Sequence, residues 1–217
     1  MSLPSAFGRY REDIETELKS LILEQSLPLY RMMAYHMGWL DDQGDTAGAV
    51  EAEAGKRIRP TLCLLTCEAL GGELRPALPA AAALELVHNF SLIHNDIQDG
   101  TPDRHHRPSV WWVWGPAQGI NAGDGMHALA RLSLLRQTEK GMPSEKALRA
   151  VATLDTACLR LCEGQYLDLT YQERVDISQD AYFQMVEGKT AALMSCAAEL
   201  GALLASADEG AIQAMAR

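Results

Sequence analysis

Apolar side chains recur every three to four positions along nearly the whole chain, the period of an amphipathic helix. Residues 9–24 place Ile14, Leu18, Leu21 and Ile22 on one face with Glu and Lys opposite, and residues 27–40 follow with Leu29, Met32, Met33 and Met37. The polar run DDQGDTAG at 41–48 predicts a loop. Pro60 suits the first turn of a helix carried on by TLCLLTCEALGG to a glycine stop. An Ala-rich helix is predicted over about 77–99, followed by a loop holding Gly100, Pro102 and Pro108. Further helices are predicted over about 118–139, 144–171 and 178–206, and Asp208 suits the N-cap of another. No alternating strand pattern of useful length occurs. The expectation is a single all-α domain over residues 1–217, with Ala and Gly allowing long helices to approach closely.

With 217 residues, 47% of them hydrophobic, the chain can bury a substantial core. A formal net charge of −10 and a pI near 5.0 argue against wide contact with nucleic acid or an anionic membrane. Any polyanionic ligand must then be caught locally, by particular Lys and Arg residues. The opening MSLPSAFG lacks the basic start and apolar run of a signal peptide, and no apolar run reaches the roughly 18 residues of a membrane span. A soluble, cytoplasmic protein is expected. Of the five cysteines, Cys63 and Cys67, and Cys158 and Cys162, sit four apart on helical faces, unlike the two-residue spacing of structural zinc sites. They read, with Cys196, as buried thiols in a reducing compartment.

One segment speaks of chemistry: HNFSLIHNDIQDGTPDRHHRPS, residues 88–109. His88, Ser91, Asn95 and Asp99 share one face of the 77–99 helix, with Asp96 about a hundred degrees round from Asn95. Oxygen donors one turn apart can share magnesium with a diphosphate, the metal bridging anions that would otherwise repel. Solvated polar residues in a last helical turn are the plainer alternative. GKRIRP at 55–60 gathers Lys56, Arg57 and Arg59 before a helix start, whose backbone donors add to the attraction for an anion; the alternative is a solvated basic turn. EGKTAA at 187–192 sets Lys189 and Thr190 within an Ala- and Leu-rich helix, where a lysine either reaches the surface or points into a polar cavity. His105 and His106 beside Asp103 are adjacent and rarely converge on one ion, so they read as loop residues near phosphate. Trp111, Trp112 and Trp114 read as packing or subunit-contact residues.

In order and spacing, GKRIRP, HNFSLIHNDIQD, DRHHRPSVW, NAGD, EGQYLDL and GKT resemble the isoprenyl diphosphate synthases, also called polyprenyl synthetases, over about residues 50–200. The resemblance implies an isoprenoid synthase-type bundle of long helices around a deep central cavity, usually a homodimer. It also implies a Mg2+-dependent enzyme that condenses isopentenyl diphosphate with an allylic prenyl diphosphate. Lys56, Arg59 and His88 match the positions that bind the isopentenyl diphosphate. Asn95, Asp96 and Asp99 match the first aspartate-rich motif, DDxxD, which holds magnesium against the allylic diphosphate. Arg104 matches the arginine contacting that diphosphate, and Lys189 and Thr190 match the pair beside the reacting carbon. Gln165 and Asp168 match the GQxxD element of the same cavity. Phe90 and Ser91, five and four residues before the motif, match the positions that set chain length; a bulky floor there implies C15–C20 products.

The chain departs from the family pattern in three places. Asn95 stands where the family has Asp, and an amide oxygen is a poorer magnesium ligand than a carboxylate. His105 stands where the family has a second arginine that helps bind isopentenyl diphosphate; with an ordinary pKa of about 6.5, it loses much of one charge and the bidentate fork. The family's second aspartate-rich motif is expected a few tens of residues beyond Thr190 and does not appear before Arg217, which together with the helix opening at Asp208 suggests missing C-terminal helices. Two other readings are a terpene synthase-like protein that ionises or cyclises one prenyl diphosphate, and a catalytically silent subunit that modulates an active synthase.

Overall fold

The computed structural model describes residues 6–47, 55–139, 141–205 and 208–217. Its elements are α1 (Ala6–Arg9), α2 (Arg11–Ile22), α3 (Pro28–His36), α4 (Ile58–Ala69), α5 (Leu74–Gln98), β1 (Asp103–Arg104), β2 (Arg107–Pro108), α6 (Val110–Trp114), α7 (Pro116–Leu135), α8 (Ser144–Tyr171), α9 (Gln179–Val186), a π-helical turn (Glu187–Ala191), α10 (Ala192–Leu204) and α11 (Glu209–Met215). The all-α expectation holds, and among the described residues no helix is long and apolar enough to cross a membrane. All five cysteines are free.

The chain forms two compact units, one of Met1–Ile58 with Glu85–Ser133, the other of Arg59–Leu84 with Leu134–Arg217. In the first, α2 buries Ile14, Leu18, Leu21 and Ile22, the face its periodicity foretold. The short antiparallel pair β1–β2 is stapled to α3. Tyr35 Oη donates to Pro108 O at 2.7 Å, Arg107 Nη2 donates to Leu40 O at 2.8 Å, and the Arg107 guanidinium lies 4.1 Å above the Tyr35 ring. Trp114 meets the same ring edge-on at 4.9 Å. The C-terminal half of α5 packs along α7 where Gly123 leaves room: a Cβ there would lie 2.3 Å from His94 Nε2.

In the second unit, α8 buries Ala147, Ala150, Leu154, Ala157, Cys158 and Leu161 on one stripe. The α10 face facing inward includes Leu193, Cys196, Ala197 and Leu200. Asp208 caps α11 as expected, accepting the Ala211 N–H at 2.8 Å.

Several boundaries differ from the sequence expectation. Helix α3 stops at His36 because Gly38, at φ 80°, turns the chain. The loop expected at 100–108 contains the β1–β2 hairpin, and α6 was not foreseen. The helix expected over 178–206 is interrupted by the π-helical turn. The opening residues 1–5 and the end of the DDQGDTAG loop lie outside the described residues.

Candidate active site

The polar end of α5 is built by its termination. Gly100, at φ 62°, follows the last turn, with the Thr101 N–H bonded to Asp96 O at 2.9 Å and the Gly100 N–H to Ile97 O at 3.3 Å. This is a Schellman stop, which needs a residue tolerant of the left-handed region. It leaves Asn95 and Asp99 one turn apart, linked by the Asp99 N–H to Asn95 O bond of 2.8 Å, with Asn95 half-buried and Asp99 exposed. Asp96 is turned inward and is only 1% exposed. Arg104 holds it: Nε lies 3.0 Å from Oδ1 and 3.3 Å from Oδ2, and Nη2 also bonds Oδ1. Burial pushes the Asp96 carboxyl above its ordinary pKa, and Arg104 only partly reverses this. Within the first motif, therefore, Asp96 anchors an arginine, while Asn95 stays half-buried and Asp99 lies exposed.

Arg104 owes its place to the hairpin. Its two-residue loop is His105 (φ 52°) and His106 (φ 62°), and two successive positive φ values mark a type I′ turn, usually built from Asn and Gly. Side chains with a Cβ cost roughly 1–2 kcal/mol each there, so the Arg107 and Tyr35 contacts must over-determine the turn. Both histidines are exposed. Behind them lies His36, in a small cleft lined also by Arg104, His105 and Arg107. Its Nε2 is buried without a hydrogen-bond partner among the described residues. Burial foremost, then repulsion from Arg104, His105 and His88, lowers its pKa to about 3, so the ring is neutral.

At GKRIRP the side chains part company. Arg57 adopts φ 49° and is 3% exposed; its Nε donates to Glu15 Oε1 at 2.8 Å and its Nη1 to Glu85 Oε1 at 2.7 Å. Asn89 Nδ2 donates to Glu85 O at 2.8 Å and to its Oε1 at 3.1 Å. Lys56 is exposed, Arg59 half-buried, and His88 half-buried one residue before Asn89. Phe90 faces α7, its ring 4.7 Å from His127 and 5.6 Å edge-on from His94, while Ser91 Oγ donates to the His88 carbonyl at 2.7 Å.

The second unit sets Lys189 Nζ 2.5 Å from Asp168 Oδ2. Two glycines make this pair possible. A Cβ on Gly164 would lie 2.0 Å from the Lys189 nitrogen, and one on Gly188 would lie 2.7 Å from the Arg160 carbonyl, so α8 and the π-helical turn touch backbone to backbone. The extra residue of a π turn re-aims the side chains that follow it, a device frequent at functional sites. Gln165 is buried and Thr190 exposed.

A family model described as polyprenyl synthetase matches residues 46–217. The chain belongs to the polyprenyl synthetase family. It is 39% identical over 221 residues to a geranylgeranyl diphosphate synthase of Mycobacterium tuberculosis, covering 100% of this chain and 61% of that protein. It is 42% identical over 184 residues to a (2E,6E)-farnesyl diphosphate synthase of Mycobacterium bovis, covering 85% of this chain and 49% of that protein. The crystal structure of a polyprenyl synthetase from Streptomyces coelicolor A3(2) superimposes with a TM-score of 0.88 at 38% identity, covering 98% of this chain and 60% of that one. The chain thus spans from 49% to 61% of the length of these relatives.

Sequence reasoning missed the Arg57–Glu85–Glu15 cluster, the anchoring role of Asp96 and the buried face of His36. Glu85 carried a signal: a lone carboxylate within AAAALELV must find a partner if it is buried. Nothing in the local pattern marks His36.

Proposed function

We propose that this polyprenyl synthetase chain acts as one domain in a magnesium-dependent trans-prenyltransferase, a cytoplasmic homodimer that condenses isopentenyl diphosphate with an allylic prenyl diphosphate to a C15–C20 product. The observation that carries this is the α5 terminus, where Asn95 and Asp99 present oxygens one turn apart beside an arginine fixed by Asp96. The curated names of its relatives, geranylgeranyl and farnesyl diphosphate synthases, support the product range.

Hard oxygen donors on Asn95 and Asp99 suit Mg2+, which also takes water and phosphate oxygens, and the bound ion would draw charge onto the departing diphosphate. Lys56, Arg59, His88 and His105 would hold the diphosphate of isopentenyl diphosphate, and Arg104 the allylic one. Lys189 and Thr190 match the family's pair acting at the allylic C1, and Asp168, bonded to Lys189, and Gln165 match its GQxxD element. The C1–oxygen bond breaks with its electrons leaving on diphosphate, the double bond of isopentenyl diphosphate attacks C1, and a diphosphate oxygen takes the proton lost. Apolar walls would keep water from the cation.

A second reading has one specific observation in its favour. With Asn95 neutral and Asp96 buried, Asp99 is the one exposed carboxylate of the first motif, as a catalytically silent subunit would permit. Incubating the protein with Mg2+, labelled isopentenyl diphosphate and dimethylallyl, geranyl or farnesyl diphosphate, then chromatographing the dephosphorylated products, separates the two. Farnesol or geranylgeraniol is expected. Failure to elongate any primer would favour the silent subunit, and hydrocarbon from the allylic substrate alone would replace condensation by ionisation.

A further inference from the structure

We infer that Arg57 is a positioning residue that locks the GKRIRP turn so that Lys56 faces a diphosphate, and that it does not bind the diphosphate itself. This rests on the proposed role of Lys56. Three observations on Arg57 converge. Its backbone sits at φ 49°, a conformation that non-glycine residues hold only where their surroundings over-determine it. Its guanidinium is spent inward: Nε on Glu15 and Nη1 on Glu85, at 2.8 and 2.7 Å, with Nη2 buried as well. No nitrogen of the fork is left at the surface for a ligand. And the two carboxylates are themselves fixed, Glu15 by the Trp39 Nε1 donor at 2.8 Å and Glu85 by Asn89.

The consequence is directional. Arg57 points into the first unit while Lys56, its chain neighbour, is exposed, so the left-handed kink turns successive basic side chains to opposite sides. Without the lock, the turn is free to relax to the ordinary φ < 0 region, which would re-aim Lys56. Charge alone cannot replace this function. A lysine at 57 keeps the positive charge but reaches one carboxylate instead of two and lacks the planar fork.

The test uses Arg57→Lys, with Glu85→Gln as a second and milder disruption that keeps an acceptor for the guanidinium. Hydrogen exchange reports on the amides of residues 55–58, thermal melting reports global stability, and titration calorimetry gives the affinity for isopentenyl diphosphate. Faster exchange confined to 55–58 and affinity weakened roughly tenfold or more are expected at temperatures where the variant is fully folded. In a double-mutant cycle, adding Lys56→Met to Arg57→Lys should weaken binding much less than Lys56→Met does alone, because the lysine is already misplaced. Unchanged exchange at 55–58, or losses that simply multiply in the cycle, would overturn the proposal. If exchange rises but Lys56→Met alone leaves affinity intact, the role of Lys56 is what fails, and the lock serves no ligand.

Discussion

Single residues here are defined by which way they face. Asp96 and Arg57 belong to motifs rich in charge, yet both are buried and bonded inside the first unit, and the proposed ligand contacts fall to Asn95, Asp99 and Lys56. His36 offers a direct physical check. Its pKa is lowered from 6.5 to about 3, so in this range the unfolded chain takes up a proton that the folded one refuses. Unfolding therefore binds protons, and stability attributable to His36 is full above about pH 6.5 and declines as the pH falls toward 3. His36→Gln removes the titration and keeps an amide donor in the site. Urea midpoints compared at pH 7.5 and pH 5.0 should fall less for the variant than for the parent. Equal falls would mean the ring is not held neutral by burial.

Among the elements, the π-helical turn and its glycine crossing matter most, because they aim Lys189 at Asp168. Gly164→Ala puts a Cβ 2.0 Å from the Lys189 nitrogen, with backbone rather than a flexible side chain in the way. Urea denaturation should register a loss of about 1–3 kcal/mol, with prenyl transfer reduced alongside it; an unchanged midpoint would show that the crossing can open at no cost. Much at this scale was legible beforehand. The 144–171 helix matches α8 at both ends, and the Asp208 cap is where its side-chain chemistry placed it. The break at 187–191 was not, since a single inserted residue barely disturbs a 3.6-residue apolar period. The hairpin was hidden for a different reason: its turn is His-His, where the usual signal is Asn-Gly. Pairings remote in sequence, such as Arg57 with Glu15 and Glu85, leave no periodic trace and become visible only in three dimensions.

Taken as a whole molecule, family membership is settled by similarity along nearly the entire chain, whereas the proposed product length and metal use rest on a few positions. Phe90, proposed as one of them, is packed against His94 and His127 and 6% exposed. Phe90→Ala should cost roughly 3–5 kcal/mol of stability and lengthen the product by at least one five-carbon unit. Melting curves paired with product chromatography check both, and a destabilised variant that still makes the original product would remove Phe90 from chain-length control. The central claim, that α5 offers a magnesium site through Asn95 and Asp99, is tested most directly by the Mg2+ dependence of isopentenyl diphosphate incorporation. The parent, Asn95→Asp and Asp99→Asn are to be compared. Restoring a carboxylate at 95 should lower the Mg2+ needed for half-maximal rate several-fold, and removing the one at 99 should raise it or abolish turnover. If all three proteins show the same Mg2+ dependence, the metal is held elsewhere and the site described at the end of α5 is wrong.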